Sequence, residues 1–249
     1  RHCTIVAPVV AGDLATVRLY ECSYSAISRT GTGNIVDESP RLSDAPWKVH
    51  KWDWGPDLAN AQIAVRGTPI DAGSGQVLLE VTDSAGDAEA VEQPADAAGA
   101  LDSSFTPART PRFITQVSID ALDPDVTMFF GLRKTLGVAV PAATEDHAGF
   151  IWDGTDFFAS SDDGAAIQQT DLTDPSTGDL VQLEVIVFGG LTTVGRVEFY
   201  IDGVLVATHV TRIPVDPLDW QHLLQTAGLG TGDLVQVTVK NGGCQECPV

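Results

Sequence analysis

The sequence predicts an all-β, antiparallel fold. Helical periodicity is nearly absent from its 249 residues. Short runs rich in Val, Ile, Phe, Thr and Tyr recur instead, punctuated by Asp and by the 24 Gly and 14 Pro of the chain. Hydrophobic residues make up 43% of the chain and charged residues 19%, which is the balance of a folded domain rather than a disordered one.

The strand prediction rests on runs that alternate apolar and polar residues. In the run GRVEFYI, Val197, Phe199 and Ile201 share one face, as a half-buried strand requires. Leu180–Phe188 is more apolar throughout, which indicates a central strand covered on both faces. The predicted strands are 76–82, 112–119, 126–132, 149–152, 155–160, 180–188, 195–201, 204–210 and 234–240.

Asp-Gly pairs mark the hairpin turns between these strands. One pair, at 202–203, separates GRVEFYI from VLVATHV, and another, at 153–154, separates GFIW from TDFFAS. Such a pair favours positive φ and therefore a tight two-residue turn. The pair at 163–164 predicts a third turn.

One short helix is predicted at 219–226, where Asp219 would cap the first turn and Gly228 would end the helix. The chain divides unevenly around these elements. Residues 1–60 have few clear strands and are predicted to form an N-terminal arm or docking extension. Residues 61–249 hold the β-sandwich, and the Ala-, Asp- and Pro-rich segment 83–111 is predicted to be a long surface loop.

The balance of charge excludes two classes of partner. Lys and Arg number 14 and Asp and Glu number 34, so the formal net charge is −20. Nucleic-acid backbones and anionic membrane surfaces both require clustered basic side chains, so neither is an expected partner. No stretch approaches the roughly 20 apolar residues that a membrane-spanning helix needs.

Three segments carry a resemblance to a known family. The hairpin GRVEFYIDGVLVATHV at 195–210 resembles the strand, Asp-Gly turn, strand unit of concanavalin-A-like (laminin-G-like) jelly rolls. Together with HAGFIWDGTDFFASSDDG at 147–164 and FFGLRK at 129–134, it is similar to jelly rolls of tailed-phage virion proteins. The resemblance covers about half of the chain, from about residue 112 to residue 240, and implies an antiparallel β-sandwich jelly roll.

The leading functional hypothesis follows from that resemblance. It implies a non-enzymatic virion structural protein, a capsid decoration or fibre, on the outside of a tailed-virus particle. Its partners would be other virion proteins, such as the major capsid protein or further copies of itself, and a host-surface glycan. The expected location is the virion surface, outside the cell.

Two alternatives stay open on the same fold. One is a carbohydrate-binding, lectin-like module of a secreted or cell-surface protein, and the other is a secreted glycanase with an unrecognised site. The resemblance implies that glycanases of this fold carry the pattern Glu-x-Asp-x-x-Glu, which this sequence lacks. Its nearest pair is Glu198 with Asp202, but Asp202 belongs to a predicted turn. No enzyme and no catalytic residue are therefore predicted, and Glu184 with Glu198 are the acids that would test a glycanase.

The four cysteines, Cys3, Cys22, Cys244 and Cys247, lie near the two ends of the chain. In jelly rolls of this type the first and last strands are neighbours, so the resemblance implies that the thiols converge. Three interpretations remain open: two disulfides, a tetrahedral Zn²⁺ site, and free or intermolecular thiols.

Two further groups of residues are candidate binding sites. Trp47, Trp52 and Trp54 would form either a sugar-stacking surface or a packed interface between subunits. Carboxylates in two Asp-rich turns offer oxygen ligands to Ca²⁺, although turn chemistry alone accounts for the same residues. The Ca²⁺ candidates are Asp162, Asp163, Asp171 and Asp174.

Overall fold

The computed structural model describes residues 64–73, 76–84, 86–92, 104–189 and 195–246, and the backbone of strand segments 17–19, 35–37 and 48–52. The chain divides into two units, Arg1–Pro46 with Pro248–Val249, and Trp47–Cys247. In the first unit two short strands, β1 and β2, pair in parallel. All other described strands lie in the second unit.

The described elements are almost all strands. In chain order they are β1 (Val17–Leu19), β2 (Ile35–Asp37), β3 (Lys48–Trp52), β4 (Ala64–Arg66), β5 (Ile70–Gly73), β6 (Gln76–Val81), β7 (Ala88–Glu92), β8 (Arg112–Ile119), β9 (Val126–Arg133), β10 (His147–Trp152), β11 (Phe157–Asp162), β12 (Ile167–Leu172), β13 (Leu180–Phe188), β14 (Arg196–Ile201), β15 (Val204–His209), β16 (Asp219–Thr226) and β17 (Val235–Glu246). One 3₁₀ turn spans Pro107–Arg109. Within the described ranges, no helix is long and apolar enough to cross a membrane.

Two antiparallel sheets pack face to face and form the β-sandwich. The seven-stranded sheet has the order β12-β11-β10-β9-β16-β7-β4, and the eight-stranded sheet has the order β15-β14-β13-β8-β17-β6-β5. This arrangement confirms the predicted antiparallel jelly-roll sandwich.

Side chains that alternate toward the inner faces of both sheets build the core. On β8 the burial pattern alternates strictly, and Phe113, Val117 and Ile119 point inward. Phe150 stacks on Phe157 of its own sheet and meets Phe199 of the other sheet edge to face, with ring centroids 5.7 Å apart in both pairs. Aromatic contacts of this kind add to the apolar burial that holds the two sheets together.

The Asp-Gly pairs lie in hairpin turns as predicted, but only the turn at 202–203 has two residues, since those at 153–156 and 163–166 have four each. They join β10 to β11, β11 to β12, and β14 to β15. Gly154, Gly164 and Gly203 have φ values of 98°, 78° and 76°, and Asp202 has a φ of 51°. These left-handed conformations are the reason that turn positions of this type require Gly, Asp or Asn.

The helix predicted at 219–226 is wrong, because this segment is strand β16. It lies between β9 and β7 and is buried on both faces. Trp220 and Leu224 face the core between the sheets, while Leu223 joins a second apolar cluster on the outer side. A short segment that is buried on both faces has no period-2 alternation of polarity, so sequence periodicity does not separate it from a helix.

Several strands lie in segments for which the sequence predicted no strand, and β7 and β3 are two of them. β7 falls inside the range 83–111, and its Ala90 and Val91 are fully buried in pairing with β16. β3 falls inside the range 1–60 and pairs with the second half of β17, at Gly242–Glu246, beyond the part of β17 that pairs with β6. In both cases hydrogen bonding to a distant strand, rather than local β propensity, fixes the conformation.

Two histidines are buried in the core as neutral side chains. Two hydroxyl groups form hydrogen bonds with His209. The Ser161 hydroxyl lies 2.8 Å from Nδ1, and the Thr170 hydroxyl lies 3.0 Å from Nε2. His222 Nε2 lies 2.9 Å from Thr115 Oγ1. Burial lowers the pKa of His209 to about 4 and that of His222 to about 3, from an ordinary value of 6.5. Their protonation therefore favours the unfolded chain.

Close approach of β9 and β10 requires glycine at Gly131. A Cβ placed there would lie 2.5 Å from the Ala148 carbonyl oxygen and 2.5 Å from the Gly149 Cα, both rigid backbone atoms. On Gly149, a Cβ would lie 2.5 Å from the ring of Phe129, which covers this glycine. The two glycines thus set the spacing at the centre of the seven-stranded sheet.

We expect the free energy of unfolding to fall as the pH drops from 6.5 toward 4, and His209→Gln to make this fall shallower. Each fully buried histidine with a lowered pKa, His147 included, stabilises the fold fully above the unfolded pKa, and this contribution is lost as the pH approaches the folded pKa. Each adds a slope of up to about 1.4 kcal/mol per pH unit in that window. Urea unfolding at several pH values measures the slopes. Equal slopes for wild type and variant would contradict a neutral His209.

Substituting Gly131 by Ala is expected to lower the free energy of unfolding by about 1–3 kcal/mol, because backbone has to shift to admit the methyl group. Urea unfolding again provides the measurement. Gly137→Ala is the matched control, since a Cβ there meets only the Arg133 Nη2 atom, at 3.7 Å. A Gly131→Ala variant as stable as Gly137→Ala would refute the close approach.

Candidate functional site

The outer face of the seven-stranded sheet presents an apolar row that runs across its strands. Strand register places Leu223 opposite both Ala90 and Phe129, and places Ile151 opposite both Phe129 and Phe158. Directly opposite residues of an antiparallel pair lie on the same face. The complete row, in sheet order, is Arg66, Ala90, Leu223, Phe129, Ile151, Phe158 and Asp171.

A polar row runs parallel to the apolar one. In sheet order it contains Glu92, Gln221, Gly131, Gly149, Ser160 and Gln169. The two glycines leave a gap in the middle of this row, and the Phe129 ring lies over Gly149 in that gap. Apolar surface beside hydrogen-bonding groups is the composition typical of small-molecule binding sites.

His147 and Ser160 form a hydrogen-bonded pair on this face. His147 Nδ1 lies 2.7 Å from the Glu145 carbonyl oxygen, which only accepts, so Nδ1 carries the proton. The Ser160 hydroxyl therefore donates to Nε2, at 2.8 Å. Burial lowers the pKa of His147 to about 4. This is the connectivity of a serine nucleophile with its base, but both side chains are fully buried and shielded from solvent.

The loop between β9 and β10, residues 134–146, lies over part of this face, and we call it the strap. Its Val140 packs against the apolar cluster of Ala90, Phe129, Ile151 and Leu223. Val138, two residues earlier, is 50% exposed and is not among the side chains packed against this cluster. The strap thus covers the middle of the apolar row.

Arg133 fastens the strap at the sheet. Its guanidinium forms a bidentate pair with Glu145, with both N–O distances 2.9 Å, and donates to the Ala139 carbonyl oxygen at 2.7 Å. It also donates to Gln221 Oε1 at 2.9 Å. Arg133 is only 3% exposed. The Glu145 carboxylate neutralises its charge, and the two other oxygens accept hydrogen bonds from it.

The network continues along the polar row. Gln221 Nε2 donates to Glu92 Oε2 at 2.5 Å and to the Gly137 carbonyl oxygen of the strap at 2.9 Å. Arg66 Nε donates to the other Glu92 oxygen at 2.8 Å. Its Nη2 reaches the Leu136 carbonyl oxygen at 3.5 Å.

Beyond the strap, the outer face is open at the β11–β12 hairpin. Phe158 is half-buried there, whereas Gln169 and Asp171 on β12 are exposed. Neither of the two polar side chains forms a hydrogen bond or an ion pair with another described residue. We call Phe158, Gln169 and Asp171 the hairpin platform. Sequence analysis missed it, although the second aromatic of the pair Phe157-Phe158 necessarily faces outward when the first faces the core.

An open cleft of about 740 Å³ adjoins the hairpin platform at Asp171. Its apolar lining comes from Leu172, Val181, Ile201 and Val206. Its acidic lining comes from Asp171, Asp174, Asp179 and Asp202, and no Lys or Arg belongs to the lining that the described residues provide.

The four predicted Ca²⁺ candidates fall at opposite ends of the β11–β12 hairpin. Asp171 and Asp174 line the cleft at one end. Asp162 and Asp163 lie at the other end, where Asp162 Oδ1 accepts from the Gly164 N–H at 2.7 Å and Asp163 pairs with Arg212 at 3.3 Å. Burial raises the pKa of Asp162. Among the described residues, no group of three or more His, Cys, Asp or Glu is arranged to hold a metal ion, and the Ca²⁺ hypothesis stays a prediction.

The tryptophan and cysteine candidates lie mostly outside the described residues. This holds for the side chains of Trp47, Trp52 and Trp54 and for Cys3, Cys22 and Cys247, although the backbone of Trp52 belongs to β3. Cys244 is buried in β17, on the core side of the sheet. The three interpretations of the cysteines and the two of the tryptophans stay predictions.

The two carboxylates of the glycanase alternative lie on the outer face of the other, eight-stranded sheet. Arg112 Nε donates to Glu184 Oε1 at 2.7 Å. Arg196 Nε donates to Glu198 Oε1 at 2.6 Å, and the Tyr200 hydroxyl donates to Glu198 Oε2 at 2.7 Å. Burial and this hydrogen bond raise the pKa of Tyr200 to about 12.

Comparison with known proteins supports the fold alone. No protein-family model and no curated protein matches the sequence. Among solved structures, a β-glucanase of Bacillus licheniformis superposes with a TM-score of 0.57 at 8% identity, covering 83% of this chain and 100% of its own. The carbohydrate recognition domain of Emp46p, in its metal-free form, has a TM-score of 0.57 at 6% identity, covering 80% and 97%.

A third similar structure is a prokaryotic β-1,3-1,4-glucanase (lichenase) derived from a mouse hindgut metagenome. Its TM-score is 0.53 at 11% identity, covering 82% of this chain and 99% of its own. These neighbours confirm the concanavalin-A-like, lectin-like jelly roll, and they include both glucanases and a carbohydrate recognition domain. They do not test the expected virion role, its capsid partners or the virion location, which stay predictions.

In a spectroscopic titration, Glu198→Gln is expected to shift the ionisation of Tyr200 from about pH 12 toward the ordinary value of 10, because the Glu198 charge and hydrogen bond no longer favour the phenol. Phenolate absorbance measures this shift, and Tyr200→Phe identifies the transition among the three tyrosines of the chain. An unchanged transition in Glu198→Gln would show that the hydrogen bond does not form.

Proposed function

We propose that this protein is a non-catalytic, lectin-like carbohydrate-binding module that holds a neutral glycan at the hairpin platform. The observation that carries the proposal is a half-buried aromatic, Phe158, flanked on one open face by Gln169 and Asp171. The apolar face of a sugar ring stacks on an aromatic side chain, and its hydroxyls require both donors and acceptors. The amide and the carboxylate supply these groups.

Two features support this choice of ligand class. The similar solved structures include a carbohydrate recognition domain and two glucanases. The acidic lining of the adjoining cleft disfavours anionic sugars through like-charge repulsion, which leaves neutral glycans as the better fit.

We propose a non-catalytic role because of the arrangement of carboxylates. Glycosidases place two carboxyl groups on either side of one scissile bond, roughly 5–10 Å apart. In the described strands of the seven-stranded sheet, no strand carries carboxylates at two alternate outer-face positions. Glu184 and Glu198 face away from that sheet and each pairs with an arginine, which favours a structural role for both.

Phe158→Ala is expected to weaken binding of a neutral glycan about tenfold or more, because the stacking surface is lost. The probe is soluble mixed-linkage β-1,3-1,4-glucan together with an array of neutral oligosaccharides, and calorimetry on the best ligand gives the affinity. The matched control is Phe188→Ala, which removes a half-buried aromatic from the outer face of the eight-stranded sheet.

Two results would contradict the proposal. Equal losses of affinity in Phe158→Ala and Phe188→Ala would show that the hairpin platform is not the site. New reducing ends released from the glucan by the wild-type protein, and abolished in Glu184→Gln or Glu198→Gln, would show a glycanase instead.

A further inference from the structure

The outer face has an open part, the hairpin platform, and a part that the strap covers. Both parts present apolar side chains beside hydrogen-bonding ones. The hairpin platform continues, within the same two rows, into Ile151 and Phe129 and then into Leu223 and Gln221. Among the described residues, the strap lies over this continuation, since Val140 packs on its apolar side chains and strap carbonyls accept hydrogen bonds from its polar ones.

The contacts that hold the central part of the strap, residues 136–143, lie outside the strand pairing of the sheet. Arg133, Gln221 and Arg66 each donate to a strap carbonyl oxygen, at 2.7, 2.9 and 3.5 Å. None of these bonds belongs to the pairing of β9 with β10 or β16, which runs in continuous register to Arg133. Displacing residues 136–143 would therefore leave the strand pairs and the Arg133–Glu145 pair intact, and would free three donor groups on the sheet.

The freed donors can form hydrogen bonds with the hydroxyl groups of a longer glycan. Sugar hydroxyls accept hydrogen bonds from guanidinium and amide groups just as the strap carbonyls do. The apolar side chains released from Val140 would meet further sugar rings. A glycan chain that extends past the hairpin platform thus competes with the strap for the same surface.

We infer that the strap is a displaceable cover that closes the inner part of the glycan-binding face, so that short saccharides bind freely and long chains bind only by displacing it. This inference rests on the proposed function, whose site it extends. Because apparent affinity scales with the fraction of molecules in which the site is open, the strap lowers affinity for polymer and leaves affinity for short saccharide unchanged.

Val140→Asp provides the test, because it places a carboxylate against an apolar cluster and so loosens the strap without altering the sheet. The matched control is Val138→Asp, which adds the same charge to the same loop at a position that is 50% exposed. Hydrogen exchange of the amides in 135–145 reports whether the strap has opened. A second variant, in which a short Gly-Ser linker replaces residues 136–143, removes the cover directly.

Affinities are measured for β-1,3-1,4-glucan polymer and for a tetrasaccharide cut from it. The expected result is polymer affinity raised about tenfold in Val140→Asp and in the linker variant, with tetrasaccharide affinity unchanged and Val138→Asp equal to wild type. Tetrasaccharide binding with no gain in polymer affinity in the linker variant would overturn the inference alone. Failure of wild type and all variants to bind either ligand would overturn the proposed function and the inference with it.

Discussion

The register of β9 between β10 and β16 is the constraint on which both faces of the seven-stranded sheet depend. It sends Met128, Phe130 and Leu132 into the core and sends Phe129 and Arg133 to the outer side. A slip of one residue would exchange these sets and bury the Arg133 guanidinium between the sheets, away from Glu145. The close approach at the central glycines fixes that register, because side chains at these positions would collide with backbone and with an aromatic ring.

The outer face of the seven-stranded sheet tolerates the buried charge of Arg133 because an opposite charge and hydrogen bonds compensate it. Arg133 is buried, yet Glu145, Gln221 and a strap carbonyl account for its donors. A buried ion with complete partners is stable, whereas removal of one partner is strongly unfavourable. The Arg133–Glu145 pair therefore holds the end of the strap, and residues 136–143 carry the carbonyl groups that have an alternative partner in solvent or in a ligand.

The two outer faces of the sandwich use carboxylates differently. On the eight-stranded sheet, Glu184 and Glu198 are neutralised by neighbouring arginines. At the open end of the seven-stranded sheet, Asp171 has no such ion pair among the described residues, and the adjoining cleft carries further aspartates. Carboxylates without a counter-charge remain available to a ligand's hydroxyl groups, so among the described residues this second face places such polar groups beside a half-buried aromatic.

The sequence by itself determined the all-β class and the places of the hairpin turns, because the Gly of each Asp-Gly pair adopts the positive φ of these turns at little steric cost. Its net charge of −20 also predicts that nucleic acids and anionic membranes are not partners. Tertiary structure decided that 219–226 is a strand, since its burial on both faces erases the alternation that periodicity detects. It alone placed the strap over one face and left Phe158 open, because what covers an outward side chain depends on distant segments that local sequence does not encode.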